Sequence, residues 1–266
     1  MTVTTSQMTC MVVAMLAGLI LPAGTLLFVR KKLGAGFKSF FMGCLVMFLF
    51  AMALESHLHK FVYSTTMGQV IWNNTVLYAL YGGLMAGLFE ETGRFLAIRF
   101  TMKNELEKDA NAFSYAAGHG GFEAFCILFI TMMNNLTYAF IMNDPARTAQ
   151  IYENATQEQA EQIKLIFEQL SVTPAWTYLL SILERASAML LQFGLTAFVW
   201  IAVKKGGKKT WFFPIAIAIH AFIDASMILV NQWIGNVFMT EIYVLIGAVV
   251  VCTLARTVWK KEEKTN

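Results

Sequence analysis

Seven apolar runs occupy most of the chain, near residues 7–29, 38–62, 75–100, 111–142, 174–203, 210–232 and 236–258. Each is long enough to cross a hydrocarbon core of about 30 Å as a helix. A segment inside lipid has no water for its amides, so it closes its own hydrogen bonds. The expected fold is therefore all-α: a polytopic membrane protein of about seven transmembrane helices. Composition agrees, since 57% of the 266 residues are apolar and only 14% are charged. No soluble domain of this length needs that balance. The fourth run is long for one span and is expected to tilt, kink or project beyond the bilayer. With no linker to split it, residues 1–266 read as a single transmembrane helical domain. Its largest soluble piece is the loop at 143–173.

Basic residues orient the chain. Arg30, Lys31, Lys32 and Lys38 fill the first loop, and Arg99, Lys103 and Lys108 the third. Lys204, Lys205, Lys208 and Lys209 fill the fifth, and Arg256, Lys260, Lys261 and Lys264 the tail. Alternate loops are poor in Lys and Arg. The positive-inside rule places the N-terminus outside the cytoplasm and the C-terminus inside, with an odd number of spans. The net charge of +3 is this asymmetry and implies no nucleic-acid partner. Trp72, Trp176, Trp200, Trp211, Trp233 and Trp259 lie at the ends of runs, where amphipathic rings prefer the headgroup level. The first run lacks a basic leading region and reads as an uncleaved anchor. Cys10, Cys44, Cys126 and Cys252 are too dispersed to suggest disulfides or a thiolate metal site. In the 143–173 loop, Thr156 with Gln159 resembles a capping box. Ala160, Ile163, Ile166, Phe167 and Leu170 follow at helical spacing. A short amphipathic, extracytoplasmic helix is expected there, as connector or as lid.

Ionisable side chains stand where lipid is expected. Glu90, Glu91 and Arg94 lie in the third run, His119 and Glu123 in the fourth, His220 and Asp224 in the sixth. Insertion scales charge roughly 2.5–3.5 kcal/mol for such a residue at the bilayer centre, so each needs a reason. Residues four apart share a helix face. Glu90 with Arg94, His119 with Glu123, and His220 with Asp224 all have that spacing, which suits metal ligation or proton relay. Counting about 1.5 Å per residue from each entry point puts the three groups at one level, near the middle or in the inner half. One intramembrane polar site is expected. Gly118, Gly120 and Gly121 around His119 allow close helix approach. Glu184 and Arg185 in the fifth run read as an interhelical ion pair or as one wall of the site. Glu55, His57, His59 and Lys60 read as a solvated surface group at the outer interface.

The motifs also form an ordered set: Glu90-Glu91-Thr92-Gly93-Arg94 as E-E-x-x-R, then His119-Gly-Gly-Phe-Glu123, then His220-Ala-Phe-Ile-Asp224. That set resembles the YhfC-type intramembrane metalloproteases. These sit in the wider clan of CAAX prenyl proteases, bacteriocin-processing proteases and PrsW-type proteases. Glu123 and Asp224 stand where the prenyl-protease form usually has His and often Asn, so the pattern departs from prenylated substrates. The resemblance implies hydrolysis of peptide bonds in a membrane-protein or peptide substrate, within a bacterial plasma membrane. It makes Glu90 the general base that activates water, Glu91 its support and Arg94 the balancing charge. Glu123 would hold the water or a metal, and His220 and Asp224 would bind metal or stabilise the oxyanion. His119 becomes a further ligand or proton shuttle. The implied metal is zinc, on His119, Glu123, His220 and Asp224, although a mechanism by glutamate and histidine without a metal has also been argued for the clan. The same side chains would serve a proton-coupled transporter or survive in a non-catalytic membrane scaffold or immunity protein. Convergence of Glu90, Glu123 and His220 on one cavity separates hydrolysis from an alternating path.

Overall fold

A computed structural model describes residues 1–264. Among them the chain is helical throughout, with no strand. α1 (Thr5–Leu33) is followed by α2 (Phe37–Val46), which runs through a π-helical stretch at Met47–Glu55 into α3 (Ser56–Tyr63). A short α4 (Thr66–Trp72) leads to α5 (Thr75–Leu96), which ends in a π-helical turn at Ala97–Thr101. α6 (Ala110–Ala124), a π-helical stretch at Phe125–Ile130, and α7 (Thr131–Met142) form one continuous run. Then come α8 (Pro145–Glu153), α9 (Gln157–Val172), α10 (Ala175–Lys205), α11 (Phe212–Ile234) and α12 (Val237–Glu263).

Among the described residues, six helices are long and apolar enough to cross a membrane: Thr5–Leu33, Phe37–Tyr63, Ala110–Met142, Ala175–Lys205, Gly207–Ile234 and Val237–Glu263. The chain is a polytopic all-α membrane protein. The remaining expected span is α5, long enough but less apolar because it carries Glu90, Glu91 and Arg94. The long fourth run is one 33-residue helix whose surplus length contains the π-helical stretch. Such a stretch widens the turn and re-aims the residues beyond it.

Local chemistry sets the helix ends. The Asn74 side chain accepts from Leu77 N at 3.0 Å and starts α5. Asp144 caps α8 ahead of Pro145, a residue that lacks the donor this position leaves unused anyway. Thr156 and Gln159 form the expected capping box on α9. Gly235 closes α11 at φ 63°, in the left-handed region that favours glycine.

Internal contacts divide the chain into two compact units. One comprises Met1–Leu21 and Ala124–Arg185. Its core gathers Met11, Leu128, Leu136 and Ala139 with Phe167, Leu170 and Tyr178. Phe167 and Leu170 are the buried face of α9, so the loop helix is amphipathic as expected. Gln7 Nε2 donates to the carbonyls of Leu170 at 3.0 Å and Thr173 at 2.7 Å. Asn143 exchanges two hydrogen bonds with the backbone of Val3.

The other unit comprises Pro22–Glu123 and Ala186 onward. Its core includes Ile98, Met102, Leu195, Val199, Trp200 and Ala248. α5 lies along α11, and the sequence explains how closely. A Cβ on Gly87 would stand 2.7 Å from the Ile217 carbonyl oxygen, and one on Gly83 would strike the Ala221 carbonyl. Glycine on α5 facing alanine on α11 is what lets the two helices approach this closely. Outward, Phe41, Leu80, Phe100 and Ile246 are exposed, which is the face lipid requires. Trp72, Trp176, Trp211 and Trp233 are exposed as an interfacial belt demands. Trp200 is not: it is 1% exposed, and its indole nitrogen donates to Asp109 at 2.9 Å. Its position near a span end gives no sign of this, because Asp109 supplies the polar partner that headgroups were expected to supply.

Candidate active site

The polar residues of α5, α6, α10 and α11 meet in the second unit. Glu91 and Arg94 have no exposed surface, and Arg94 Nη1 donates to Glu91 Oε1 at 2.6 Å and Oε2 at 2.5 Å. This corrects the expected Glu90–Arg94 pairing. The i, i+3 partner captures both guanidinium-facing oxygens and leaves Glu90 to turn elsewhere. Glu90 Oε2 lies 2.8 Å from His119 Nε2 and accepts from Gln192 Nε2 at 2.9 Å. The Gln192 carbonyl oxygen in turn accepts from Arg94 Nη2. One amide thus ties the two acidic side chains' networks together.

His220 completes the cluster. Its Nδ1 lies 2.9 Å from Glu91 Oε1. A carboxylate already held by Arg94 can only accept there, so Nδ1 carries the proton and the ring orientation is fixed. The other nitrogen, Nε2, is 3.4 Å from Asp224 Oδ2 and 4.0 Å from Glu90 Oε2. His119 and His220 are buried, whereas the Asp224 side chain is 33% exposed. The cluster therefore opens at Asp224. Tyr115 stacks on His119, with ring centroids 6.0 Å apart.

Small residues make this possible. Gly118 brings α6 against the Phe40 carbonyl of α2, Gly120 packs on Met189 of α10 and Gly121 on Pro22. The glycines flanking His119 are packing positions, and His119 is carried inward by them. Glu123 is half-buried one turn beyond His119 on the same helix.

Two members have weak sequence signals. Gln192 is an amide within an otherwise apolar stretch of α10 and is 3% exposed, a position where an unpaired amide would be costly. Glu55 was expected in a solvated group but is 8% exposed. His57 and Lys60 are exposed as expected. The π-helical stretch that ends at Glu55 turns it inward, within electrostatic reach of Glu90, His220 and Asp224. His59 Nε2 lies 3.1 Å from Glu55 Oε1, and its Nδ1 lies 2.9 Å from the Tyr81 hydroxyl. Glu184 and Arg185, in the first unit, pair with each other along one helix.

A family model described as YhfC intramembrane metalloprotease matches residues 17–244, which contain every member of the cluster. The chain belongs to that family. An "Uncharacterized membrane protein YhfC" from Bacillus subtilis (strain 168) is 36% identical over 216 residues, 81% of this chain and 81% of that one. No solved structure matches.

The YhfC family's description implies a metal, and the donor chemistry suits one. Two imidazoles and carboxylates are zinc ligands, and a carboxylate behind an imidazole, as Glu91 stands behind His220, is the usual support. The 3.4 Å between His220 Nε2 and Asp224 Oδ2 is near the separation of about 3.3 Å between two atoms bound to one zinc at about 2.0–2.1 Å. His119 Nδ1 is buried without a partner. Among the described residues, however, no three such side chains are spaced to hold an ion as they stand. The 2.8 Å contact of His119 with Glu90 is a hydrogen bond, shorter than a ligand–ligand edge. The donor set fits; the spacing requires His119 to give up that bond.

Proposed function

We propose that the chain is an intramembrane endopeptidase that hydrolyses peptide bonds in membrane-associated protein or peptide substrates. The observation that carries this reading is the placement of Glu90. It is a buried carboxylate with both hydrogen bonds on Oε2, beside an imidazole whose orientation another carboxylate fixes. Its Oε1 is left to accept from water. As general base, Glu90 takes a proton from that water while the oxygen attacks the scissile carbonyl carbon, and later delivers the proton to the leaving amine. Gln192 holds Glu90 in place, and His119 is its second partner until it turns to a metal. Arg94 holds Glu91 and Glu91 holds the His220 ring, so Nε2 faces the reacting centre beside Asp224. Zinc, held by His220 and Asp224 and by His119 once it releases Glu90, would supply a Lewis acid that polarises the carbonyl and eases ionisation of water. The partly exposed Asp224 marks where water enters. The chain takes the clan's membrane role in a plasma membrane, with its N-terminus outside and C-terminus in the cytoplasm.

The test is cleavage of single-span peptides co-reconstituted with purified protein, comparing wild type with Glu90→Ala and His220→Ala. Each variant is expected to lose roughly 10²–10⁴-fold in rate, the usual worth of a positioned acid or base. Unchanged cleavage by both would remove the assigned roles.

A further inference from the structure

Within the second unit the polar cluster is closed on one side and polar on the other. One turn from its members, toward the basic loops, each helix carries a buried side chain. These are Ile98 after Arg94 on α5, Tyr115 before His119 on α6, Leu195 after Gln192 on α10 and Ala216 before His220 on α11. All four have no exposed surface and belong to one core cluster. They form a floor packed as densely as an organic crystal, which gives water no passage. Toward the 64–74 loop the sequence of side chains is different. Reckoned from the helix ends at Tyr63, Thr75 and Ile234, His59 and Tyr81 come first, Glu55 and Asp224 lie deeper, and His220 and Glu90 are deepest. His59 joins the Tyr81 hydroxyl to Glu55 through its two ring nitrogens. Glu55 lies within electrostatic reach of Glu90, His220 and Asp224. Side-chain exposure is 27% at His59, 10% at Glu55 and 33% at Asp224. Carboxylates with open surface at that depth call for water, because hydrocarbon offers them no hydrogen bond.

We propose that the site is reached from the side of the 64–74 loop alone, along a hydrated seam lined by Tyr81, His59, Glu55 and Asp224. Water arrives by that route, and so does the substrate, a clause that rests on the protease reading. In the orientation proposed above this side is extracytoplasmic. The substrate class is then membrane peptides with a soluble stretch outside the cytoplasm, which can feed an unwound segment down the seam. A membrane peptide whose soluble part lies wholly on the side of the basic loops meets the floor instead. The π-helical stretch at Met47–Glu55 has a definite part in this, since it is what turns Glu55 into the seam.

The experiment uses the full-length chain with Cys10, Cys44, Cys126 and Cys252 replaced by alanine, in sealed vesicles of either orientation. Single cysteines are placed by Glu55→Cys, His59→Cys and Ile98→Cys. Asn73→Cys and Lys208→Cys, at exposed positions of the two faces, report which side is outward. The probe is a cationic methanethiosulfonate that does not cross lipid. Glu55→Cys and His59→Cys are expected to be labelled from the side of Asn73 and protected from the side of Lys208. Ile98→Cys is expected to stay unlabelled from both. His59→Cys, at a half-buried position, decides the route if Ile98→Cys fails to fold. Labelling of Glu55→Cys, His59→Cys or Ile98→Cys from the Lys208 side would overturn the proposal, as would failure of Glu55→Cys or His59→Cys to label from the Asn73 side. Cleavage is scored separately with wild type and two co-reconstituted single-span peptides, each with a soluble tail on one side only. The peptide with its tail on the Asn73 side is expected to be cut and the other spared. Cutting of the other overturns the substrate class. Sided labelling without cleavage of either peptide counts against hydrolysis and leaves the route standing.

Discussion

Two ion pairs in this chain have the same kind of spacing and opposite meaning. Glu91 and Arg94, three residues apart on α5, have no exposed side-chain surface. Lys164 and Glu168, four apart on α9, lie 3.8 Å apart with 64% and 46% of their side chains exposed. The α9 pair sits in water, is screened, and its loss frees two solvated groups. The α5 pair cannot be loosened without leaving a bare charge in a low-dielectric interior. Such an arrangement is weak evidence for stability and better evidence for function. An apolar helix would insert more readily, so a chain that keeps these charges uses them.

Substitutions sharpen the contrast in a definite order. Arg94→Met leaves Glu91 without its cation and is expected to cost about 3–5 kcal/mol, read as a large fall in the thermal midpoint in detergent. If the loss were under about 1 kcal/mol, as for exposed pairs, the buried network would not be the structural constraint described. Gly87→Leu forces a side chain between α5 and α11 and is expected to cost about 1–3 kcal/mol. It should also lower activity by drawing Glu91 away from His220. Preserved activity would show that the backbone contact does not set the site. Glu55→Gln removes a carboxylate near Glu90 and His220 but keeps its shape. A rate loss of about twofold to tenfold, the worth of a hydrogen bond, is expected with an unchanged midpoint. An effect on the midpoint alone would make Glu55 a packing residue. Lys164→Ala should move stability by about 0.3–0.5 kcal/mol at most. A larger shift would mean that the exposed pair is worth more than its solvation allows.

These contrasts also show what a sequence reveals. The spans are legible because lipid permits few solutions, and α5 is the less apolar one because it carries Glu90, Glu91 and Arg94. Six of the seven expected site residues stand in one cluster, since matching depths on separate helices leave few other places for charge. Their pairing was not legible: i, i+4 spacing suggested Glu90 with Arg94, while a guanidinium reaching back along the helix chose Glu91. Gln192 was missed because a neutral amide carries no insertion alarm. Glu55 was misplaced because periodicity counted with an α-helix does not see a π-helical stretch before it. Trp200 was misplaced because its acceptor, Asp109, lies on another segment.

The most direct test of hydrolysis at this cluster is isotopic. Wild-type protein and Glu90→Gln, reconstituted with a single-span peptide in ¹⁸O-water, are compared by mass spectrometry of the products. One ¹⁸O atom in the new C-terminal carboxyl group with wild type, and its loss by roughly 10²–10⁴-fold with Glu90→Gln, is the expected result. Equal incorporation by both proteins, or cleavage without ¹⁸O, would contradict the account.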